Sequence, residues 1–573
     1  MTFCGSKYCG LLLAATFSTL IAFLMSLTDE VVIGNILGET ALGAANLLQS
    51  PTNLIAFFSA LLGTGAAICF SIEMGRFERR RAVEMFSVGL WSSLVLGLLL
   101  WLGMLVARAP FLALMATNVE TSRLVTSYWL WWAPCALLSP LATLLANVCY
   151  ADGDSRLCVG AYVVQFVGNA VLSVPLTFAM GMAGCALGTV LGHLLSILVL
   201  LCHFRRKMNT LRLVWHFCWG DLGQIVQTSF GDASARLFNA VLFFALTHYV
   251  VAHFGSQMLP TLGAVLTVVG VSEAFNGPVN AAQPLVSVYY GEGNPQGIRQ
   301  VMSTAFRTTL VSAVALGALL ALCPLLVTRL LGIVEPALVS SAVTAVRITA
   351  TGMVGLGLVA LFNSYFAFID RGQLSGMLSF LSTLVVPGTL FPLLGAVWGI
   401  AGVWWALTIA PMLSCALVAV WVWRREGGQK FPWLLDRSRE AVISMFDLRL
   451  DEREICRVSS EIGSLLRANG ACESATRAEL LVEEVLMAVK ERNAGRSVLA
   501  EATLMLDEEP SLVLRDDGEI FDITDTDAQI SSLRSYLVAS LMNVQKNRMN
   551  LTTTGFNRNV FRFGRVRENG GNP

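Results

Sequence analysis

The sequence predicts an all-α polytopic membrane protein with about twelve transmembrane helices in two parallel six-helix repeats, followed by a small α/β cytoplasmic domain. Three observations predict this fold class. The 573 residues are 55% hydrophobic and 14% charged, with a mean hydropathy of +0.65, whereas soluble proteins contain about 25% charged residues. Of the 39 acidic residues, 23 follow Lys430, and short motifs recur about 216 residues apart. The composition excludes a disordered chain, a collagen, a small disulfide scaffold and a single soluble domain.

Twelve apolar windows have the length of about 20 residues that crosses the hydrocarbon core of a bilayer. They are centred near residues 22, 58, 96, 135, 169, 193, 241, 273, 317, 355, 386 and 411. The first stretch lacks an A-x-A-like cleavage site, so it is predicted to be a retained span. Two windows, 41–73 and 258–290, contain polar residues that must face the bundle interior or a watery cavity: Asn46, Gln49, Asn53, Glu273, Asn276 and Asn280.

The basic residues of the short loops predict the orientation of the bundle. They cluster at Arg76 to Arg81, Arg205 to Arg212 and Arg424 to Lys430, whereas the alternate loops around Gly38, 181–184, Gly255 and 398–402 contain no Lys or Arg. Cytoplasmic loops carry the excess of Lys and Arg. We therefore expect both termini in the cytoplasm and the chain in a bacterial inner (plasma) membrane.

An internal repeat predicts the architecture of the membrane part. Four residues recur 216 positions later, namely Ala66, Ser71, Gly75 and Ser87 as Ala282, Ser287, Gly291 and Ser303. The turn Gly181-x-Ala-Gly184 recurs as Gly399-x-Ala-Gly402 at an offset of 218. Residues 1–215 and 216–430 are therefore predicted to form an N-lobe and a C-lobe of six spans each. Parallel repeats of this kind place a substrate site between the lobes and work by alternating access, which favours a secondary transporter over a membrane anchor.

The thirteen cysteines are scattered through the chain without a CxxC pair or metal-ligand spacing. They are predicted to be packing residues, and no metal site is expected from them.

Several motifs resemble those of the MATE (multidrug and toxic compound extrusion) transporters over residues 10–425. They are Thr28-Asp29-Glu30-Val31-Val32-Ile33-Gly34, Ala41-Leu42-x-Ala44-Ala45-Asn46-Leu47, Ala151-Asp152-Gly153-Asp154-x-Arg156, Gly181 to Thr189, Ala282 to Ser287 and Gly399 to Trp404. The resemblance implies an exporter with two lobes that is driven by proton or sodium entry and moves amphipathic organic cations outward. It implies no enzymatic activity, no required cofactor and no nucleic-acid partner; the expected partners are a small organic cation and the lipid bilayer.

The same resemblance implies a cation site in the N-lobe. A first-helix Asp, a fifth-helix Asn and Asp, and a sixth-helix Thr form this site in the family, and they fall on Asp29, Asn169, Ser173 and Thr189. The fifth-helix carboxylate is therefore missing. A single carboxylate can still carry a proton, and neutral oxygens also bind sodium, so H⁺ coupling is slightly favoured over Na⁺ at Asp29. The alternative is that Asp29 is solvated at the membrane surface beside Glu30.

Charged residues of the second half supply further candidates. Glu273 is predicted to be the only acid deep in the apolar part of that half, either as a substrate or cation ligand or as a buried acid hydrogen-bonded to Asn276. Asp370 is predicted to be a cap or to pair with Arg371 in a loop. Arg236 and Arg347 are the only candidates for the basic cavity that a lipid-linked saccharide flippase, the alternative transporter, would need.

The composition after Arg425 predicts a separate domain at 431–573. We expect a strand at 443–450, helices at 451–468 and 474–492, strands near 498–506 and 511–515, a helix at 529–543 and a closing strand pair around Gly555 to Val560. Leu480-Leu481-Val482-Glu483-Glu484-Val485-Leu486-x-Ala488 and Arg515-Asp516-Asp517-Gly518 resemble a histidine-kinase-like ATPase domain of the anti-sigma-factor type.

This second resemblance implies a degenerate nucleotide site at Glu484, Asp516 and Gly518. The magnesium-binding Asn of that family is replaced by Ala488, its second glycine by Ile520, and its phosphate-loop glycines are missing around Ser532 to Ser535. We expect weak or absent ATP hydrolysis and a regulatory domain that senses nucleotide or binds a cytoplasmic protein. The alternatives are a solvated helix face at Glu483 and Glu484 with an ordinary turn at Asp516, or a membrane signalling protein that acts through this domain.

Overall fold

The computed structural model describes most of the chain. It covers residues 3–519 and 556–563, with gaps at 38–40, 42–43, 46–47, 77, 116–118, 207–208, 256–257, 331–335, 428–432, 436–441 and 508–509. The predicted helix 529–543, Ile520 and Ser532 to Ser535 lie outside these residues, as does Asn46.

The membrane part consists of α-helical segments, single or in consecutive pairs, whose successive spans run alternately up and down. They are α1 (Phe3–Leu37), α2 (Gln49–Gly75), α3 (Arg79–Met115), α4 (Val119–Trp132), α5 (Cys135–Ala151), α6 (Ser155–Met180), α7 (Met182–Leu201), α8 (Trp219–Phe254), α9 (Leu259–Val271), α10 (Asn276–Glu292), α11 (Pro295–Leu322), α12 (Pro324–Leu330), α13 (Pro336–Thr351), α14 (Met353–Phe368), α15 (Gly372–Phe380), α16 (Val386–Trp398) and α17 (Ile400–Glu426).

Ten stretches within the described residues are long and apolar enough to cross a bilayer. The pairs α4 with α5 and α13 with α14 are bent by 46° and 43°, and the number rises to twelve when each pair is counted as one span. The total of ten to twelve agrees with the predicted twelve. The first bend lies at Pro134, whose ring removes a backbone donor. A 3₁₀ turn, Ser272–Phe275, joins α9 to α10 within one span.

The up-and-down order places the start of α1 and the ends of α2, α7, α10 and α17 on one side of the bundle. Arg76, Arg79, Arg205 and Arg424 lie there too, and we call this side the basic end. The opposite side carries the turns at Gly181 and Gly399.

The turns at Gly181 and Gly399 have the same backbone conformation. Their φ and ψ angles are 62° and −137° at Gly181, and 62° and −148° at Gly399. A positive φ favours glycine because it has no Cβ. Next to them, a Cβ on Gly184 would lie 1.9 Å from the Leu176 oxygen, and one on Gly402 would lie 2.0 Å from the Leu394 oxygen. The two halves therefore repeat their geometry at the offset of 218 seen in the sequence.

Gly75 and Gly291, which are equivalent in the repeat, contact each other where α2 meets α10. A Cβ on Gly75 would lie 2.2 Å from the Val288 oxygen, and one on Gly291 would lie 2.0 Å from the Ile72 oxygen. Only glycine allows two helix backbones to approach so closely. The two halves are thus packed tightly against each other near the basic end.

The C-terminal part contains an antiparallel sheet with two helices on one face. Its elements are β1 (Ile443–Arg449), α18 (Glu452–Ala468), α19 (Cys472–Arg492), β2 (Leu499–Met505), β3 (Ser511–Asp516) and β4 (Asn557–Arg562), and the strand order is β1-β2-β3-β4. The predicted strands and helices between 443 and 515 fall on these elements, and β4 lies in the predicted closing pair. Alternate strand residues such as Ala500, Leu504 and Leu514 pack under the two helices.

Candidate functional site

Three helices bring the predicted N-lobe residues together. Thr189 on α7 donates from Oγ1 to Oδ2 of Asp29 on α1 at 3.0 Å. Asn169 on α6 donates from Nδ2 to the same Thr189 oxygen at 3.0 Å. The result is a hydrogen-bonded chain from Asn169 through Thr189 to Asp29. Asp29 is half-buried and held within the bundle, so its surroundings differ from those of an isolated solvated acid.

The fourth predicted residue, Ser173, lies one helical turn from Asn169 and is fully buried. A Cβ on Gly188 would lie 2.1 Å from its Oγ atom, so α6 and α7 touch at this point. Ser173 Oγ, Thr177 Oγ1 and Asn169 Oδ1 make no hydrogen bond to the described part of the chain. Buried oxygens without a partner are costly. Water or a bound cation would satisfy these buried oxygens.

The donor set at this site contains one carboxylate and several neutral oxygens. No group of three or more His, Cys, Asp or Glu side chains that could hold a metal ion occurs among the described residues. Asp29 can bind one proton, and Thr189 can then accept from it instead of donating, because a hydroxyl both donates and accepts. Asp29 and its oxygens can equally bind a single monovalent cation.

A second group of charged residues lines a cavity of about 190 Å³ in the second half. The lining includes Asp232 and Arg236 on α8, and Glu273 and Asn276 where α9 meets α10. An adjoining cavity of about 240 Å³ shares Asp232, Arg236 and Asn276 but also reaches first-half residues: Ser59, Thr64, Ser139 and Asn147. Polar and charged groups thus converge on the space between the two halves.

The prediction for Glu273 needs two corrections. Glu273 is exposed to the cavity and not buried, although the predicted hydrogen bond is present: Asn276 Nδ2 donates to its Oε2 atom at 2.5 Å. It is also not the only acid at this depth, because Asp232 lines the same cavity. The sequence signal for Asp232 is its spacing of four residues from Arg236, which places both on one face of an apolar helix.

The remaining charged candidates of the second half lie elsewhere. Arg347 is exposed on α13 and does not line either cavity. Asp370 lies at the basic end with a φ of 57° and accepts a hydrogen bond from Thr228 Oγ1 at 2.9 Å. It therefore ties the turn before α15 to α8.

The residues of the predicted nucleotide site lie in the C-terminal domain. Asp516 at the end of β3 accepts at Oδ1 from Gly518 N at 3.0 Å and from Asn557 Nδ2 at 2.8 Å. Burial raises the pKa of Asp516 to about 6. Glu484 is half-buried on α19. Ala488 packs in the apolar core between the helices and the sheet, so an apolar methyl group occupies the position at which the family resemblance would place a magnesium ligand.

Comparisons with known proteins match the membrane part. The family model MatE matches residues 14–176 and 234–388. The multidrug export protein MepA of Staphylococcus aureus (strain MRSA252) is 20% identical over 413 residues, which cover 70% of this chain and 89% of that protein. MepA of Staphylococcus saprophyticus is 21% identical over 401 residues, or 66% and 86% of the two chains.

Solved structures share the fold. A MATE in complex with MaL6 superposes with a TM-score of 0.69 at 19% identity, over 74% of this chain and 96% of that chain. A MOP superfamily transporter from Pyrococcus furiosus, whose reversed binding-pocket polarity suggests a different function for that protein, gives the same TM-score, identity and coverage. The family model and the solved structures therefore match the same helical membrane part of the chain. The chain belongs to the MatE family of membrane transporters, whose members are secondary transporters for small molecules and not enzymes.

Proposed function

We propose that this chain exports amphipathic organic cations and is driven by a cation that enters through the N-lobe site. The observation that carries the proposal is the chain of hydrogen bonds from Asn169 through Thr189 to Asp29. It links three helices through one titratable carboxylate, so a change in the ionisation of Asp29 changes the contacts between those helices.

The proposed coupling ion is the proton, and sodium is the alternative. Asp29 offers one negative charge, and its neighbours Asn169, Ser173 and Thr189 are neutral. Neutralising a single carboxylate in a low-dielectric site is what a bound proton does. A sodium ion would need the neutral oxygens of Asn169 and Ser173 as additional ligands.

The proposed substrate site is the cavity of about 190 Å³ in the second half, which adjoins the cavity that reaches both lobes. Two carboxylates, Asp232 and Glu273, and one guanidinium, Arg236, face it together with apolar residues such as Leu242, Phe243 and Val269. The three side chains have a net charge of −1. An amphipathic molecule with one positive charge fits this combination of charge and apolar surface.

The proposed orientation places the basic end in the cytoplasm of a bacterium. The basic residues of that end support it through the positive-inside rule, and the relatives named above are bacterial export proteins. The C-terminal domain then lies in the cytoplasm, where we propose that it regulates transport. We also propose that it is related to nucleotide-binding domains of the histidine-kinase type.

The test is efflux of a fluorescent organic cation from proteoliposomes under an imposed proton gradient or an imposed sodium gradient. We expect proton-driven efflux by the wild type and its loss in Asp29→Asn, because the amide cannot carry a proton. Glu461→Gln, which changes an exposed acid of α18, is the matched control and should transport normally. Wild-type efflux by Asp29→Asn would refute the proposed coupling residue, and efflux driven by sodium alone would correct the ion.

The flippase remains the second candidate because Arg236 lines both cavities. One arginine faces two carboxylates, and Arg347 lies elsewhere, so the cavity is less suited to an anionic headgroup than to a cation. Absence of cation efflux under both gradients, together with translocation of a lipid-linked saccharide, would favour the flippase. Phosphate transfer from ATP to a partner protein would instead favour the signalling alternative.

A further inference from the structure

The sheet of the C-terminal domain presents a row of charges on the face opposite α18 and α19. The strand register aligns Glu501 with Arg515, and Arg515 with Arg558. Side chains alternate between the two faces of a strand, and the neighbouring residues Ala500, Ala502 and Leu514 pack under the helices. The charged row therefore points away from the domain core, towards the basic end of the bundle.

Glu292 at the end of α10 completes this row from the second half of the bundle. Its carboxylate pairs with both Arg515 and Arg558, and Arg515 also pairs with Glu501. The side chains of all four residues are fully buried. Two acids and two bases compensate one another here, which buried charges require. The guanidinium carbon of Arg515 also lies 4.8 Å from the ring centre of Tyr289 on α10.

Arg558 also binds the first half of the bundle. Its Nη1 donates to the Met74 carbonyl at 2.8 Å, and its Nη2 donates to the Gly75 carbonyl at 3.1 Å. These carbonyls end α2, and a cation at a helix C-terminus satisfies them and interacts favourably with the helix dipole. One guanidinium thus connects the end of α2 in the first half to Glu292 in the second half.

Further contacts tie the domain to each half separately. On α1, Phe3 N donates to Asp447 Oδ1 at 2.7 Å, and Lys7 Nζ lies 3.6 Å from Asp517 Oδ2. On α11, Gln296 Nε2 donates to the Ile443 carbonyl at 3.0 Å. The domain therefore spans the joint between the halves.

That joint must open for a transporter that works by alternating access. The backbones of Gly75 and Gly291 approach each other closely near this joint. The ends of α2 and α10 have to separate when the bundle opens towards the basic end. Any structure that holds both ends stabilises the state closed on this side. A domain that contacted only one half would move with it and would have no such effect.

We propose that the C-terminal domain is a clamp that holds the two lobes closed at the basic end through the Arg558, Glu292 and Arg515 cluster. The proposal rests on alternating access between the two lobes, as in the proposed function, but not on the identity of the substrate or coupling ion. Its consequence is that undocking of the domain controls how often the transporter opens to this side.

The test measures the separation of the lobes directly. Spin labels are placed through non-canonical amino acids at 79 and 424, which are exposed positions on the first and second half at the basic end. Double electron–electron resonance on the full chain then reports the populations of closed and open molecules. We expect Glu292→Gln with Arg558→Gln, which keeps the net charge, to raise the open-to-closed ratio about tenfold.

Two further variants make the result decisive. Arg457→Gln removes an exposed arginine that pairs with Glu454 and Glu461 of its own helix, α18, and should leave the distances unchanged. Arg558→Lys keeps the positive charge but loses the fork that reaches both halves, and should give an intermediate shift. Hydrogen exchange of β2 and β3 establishes in each variant that the sheet is still folded.

An unchanged distance distribution in Glu292→Gln with Arg558→Gln and in Arg558→Lys, with β2 and β3 still protected, would overturn the clamp. A shift towards open molecules supports it even if no organic cation is transported, in which case only the proposed substrate fails. Efflux by the wild type with no change in distances in either variant would leave the exporter standing and reject the clamp.

Discussion

Thr189 connects the residues of the proposed N-lobe site, because its hydroxyl accepts from Asn169 and donates to Asp29. The family motif predicts that these residues are close, but only the structure shows that Thr189 lies between the other two. Ser173 replaces a carboxylate at a point where Gly188 brings α7 against α6. Asp29 is therefore the only carboxylate among the four predicted residues, and Ser173 is tightly packed between α6 and α7.

The first prediction at the residue scale concerns the cavity in the second half that Asp232, Arg236 and Glu273 line. Asp232→Asn should weaken binding of a monovalent organic cation by about tenfold, the effect of losing roughly 1.4 kcal/mol of interaction, because the remaining Glu273 is balanced by Arg236. Binding is measured by fluorescence titration of the purified protein with a dye cation. The control is Arg347→Gln, which lies away from both cavities; equal affinities for all three proteins would contradict the assignment of the cavity.

A second prediction at this scale concerns Asp516 and pH. The pKa of Asp516 rises from 3.8 to about 6 on folding, so the folded domain retains a proton that the unfolded chain releases between these values. The contribution of this carboxyl group to stability is therefore fully present below about pH 4 and is lost as the pH rises through about 6, a change of roughly 3 kcal/mol. Asp516→Asn should lack this loss.

Protection of β3 against hydrogen exchange at pH 4.5 and pH 7.5 measures the difference between Asp516→Asn and the wild type. The exposed residue Asp507 provides the control substitution Asp507→Asn. If the wild type and Asp516→Asn respond equally to pH, Asp516 does not have the raised pKa.

At the scale of elements, helix ends and helix crossings organise the molecule. The turns at Gly181 and Gly399 adopt the same conformation, and the equivalent glycines Gly75 and Gly291 meet each other between α2 and α10. Both features follow from the same repeat in the sequence. The repeat predicts the matched turns directly, whereas the contact between two equivalent residues appears only when the halves are assembled.

The prediction at this scale is that Gly291→Ala destabilises the bundle. The added Cβ would lie 2.0 Å from a backbone oxygen of α2, so the helices must shift, at a cost of about 1–3 kcal/mol. Gly270→Ala on α9 is the matched control, since a Cβ there meets nothing within 4 Å, and alanine favours a helix over glycine. Thermal scanning in detergent should show a lower transition temperature for Gly291→Ala alone; similar temperatures for both variants would argue against a tight α2–α10 contact.

At the scale of the whole molecule, the membrane part and the C-terminal domain form one continuous structure. The charged row of Glu501, Arg515 and Arg558 is buried against Glu292 of the bundle. A domain that merely followed the last helix on a linker would not need such a surface. Through this surface the domain contacts both halves directly at the basic end, and the proposed clamp is based on these contacts.

The spans, the repeat and the order of strands and helices between residues 443 and 515 could be predicted from the sequence. These features depend on local properties: the bilayer requires about 20 apolar residues per span, and a sheet that is covered on one face requires alternating side chains. Asp29, Asn169 and Thr189 were identified as a candidate site only through the family resemblance of the motifs that contain them.

Only the tertiary structure decided which distant charges meet. Asp232 joins Glu273 in one cavity across 41 positions, and Arg558 reaches the Gly75 carbonyl across 483 positions. In the sequence, nothing links Glu501, Arg515 and Arg558, which lie in three different strands, to one another or to Glu292. Their role depends on desolvation and pairing, which arise only when separate segments are buried against one another.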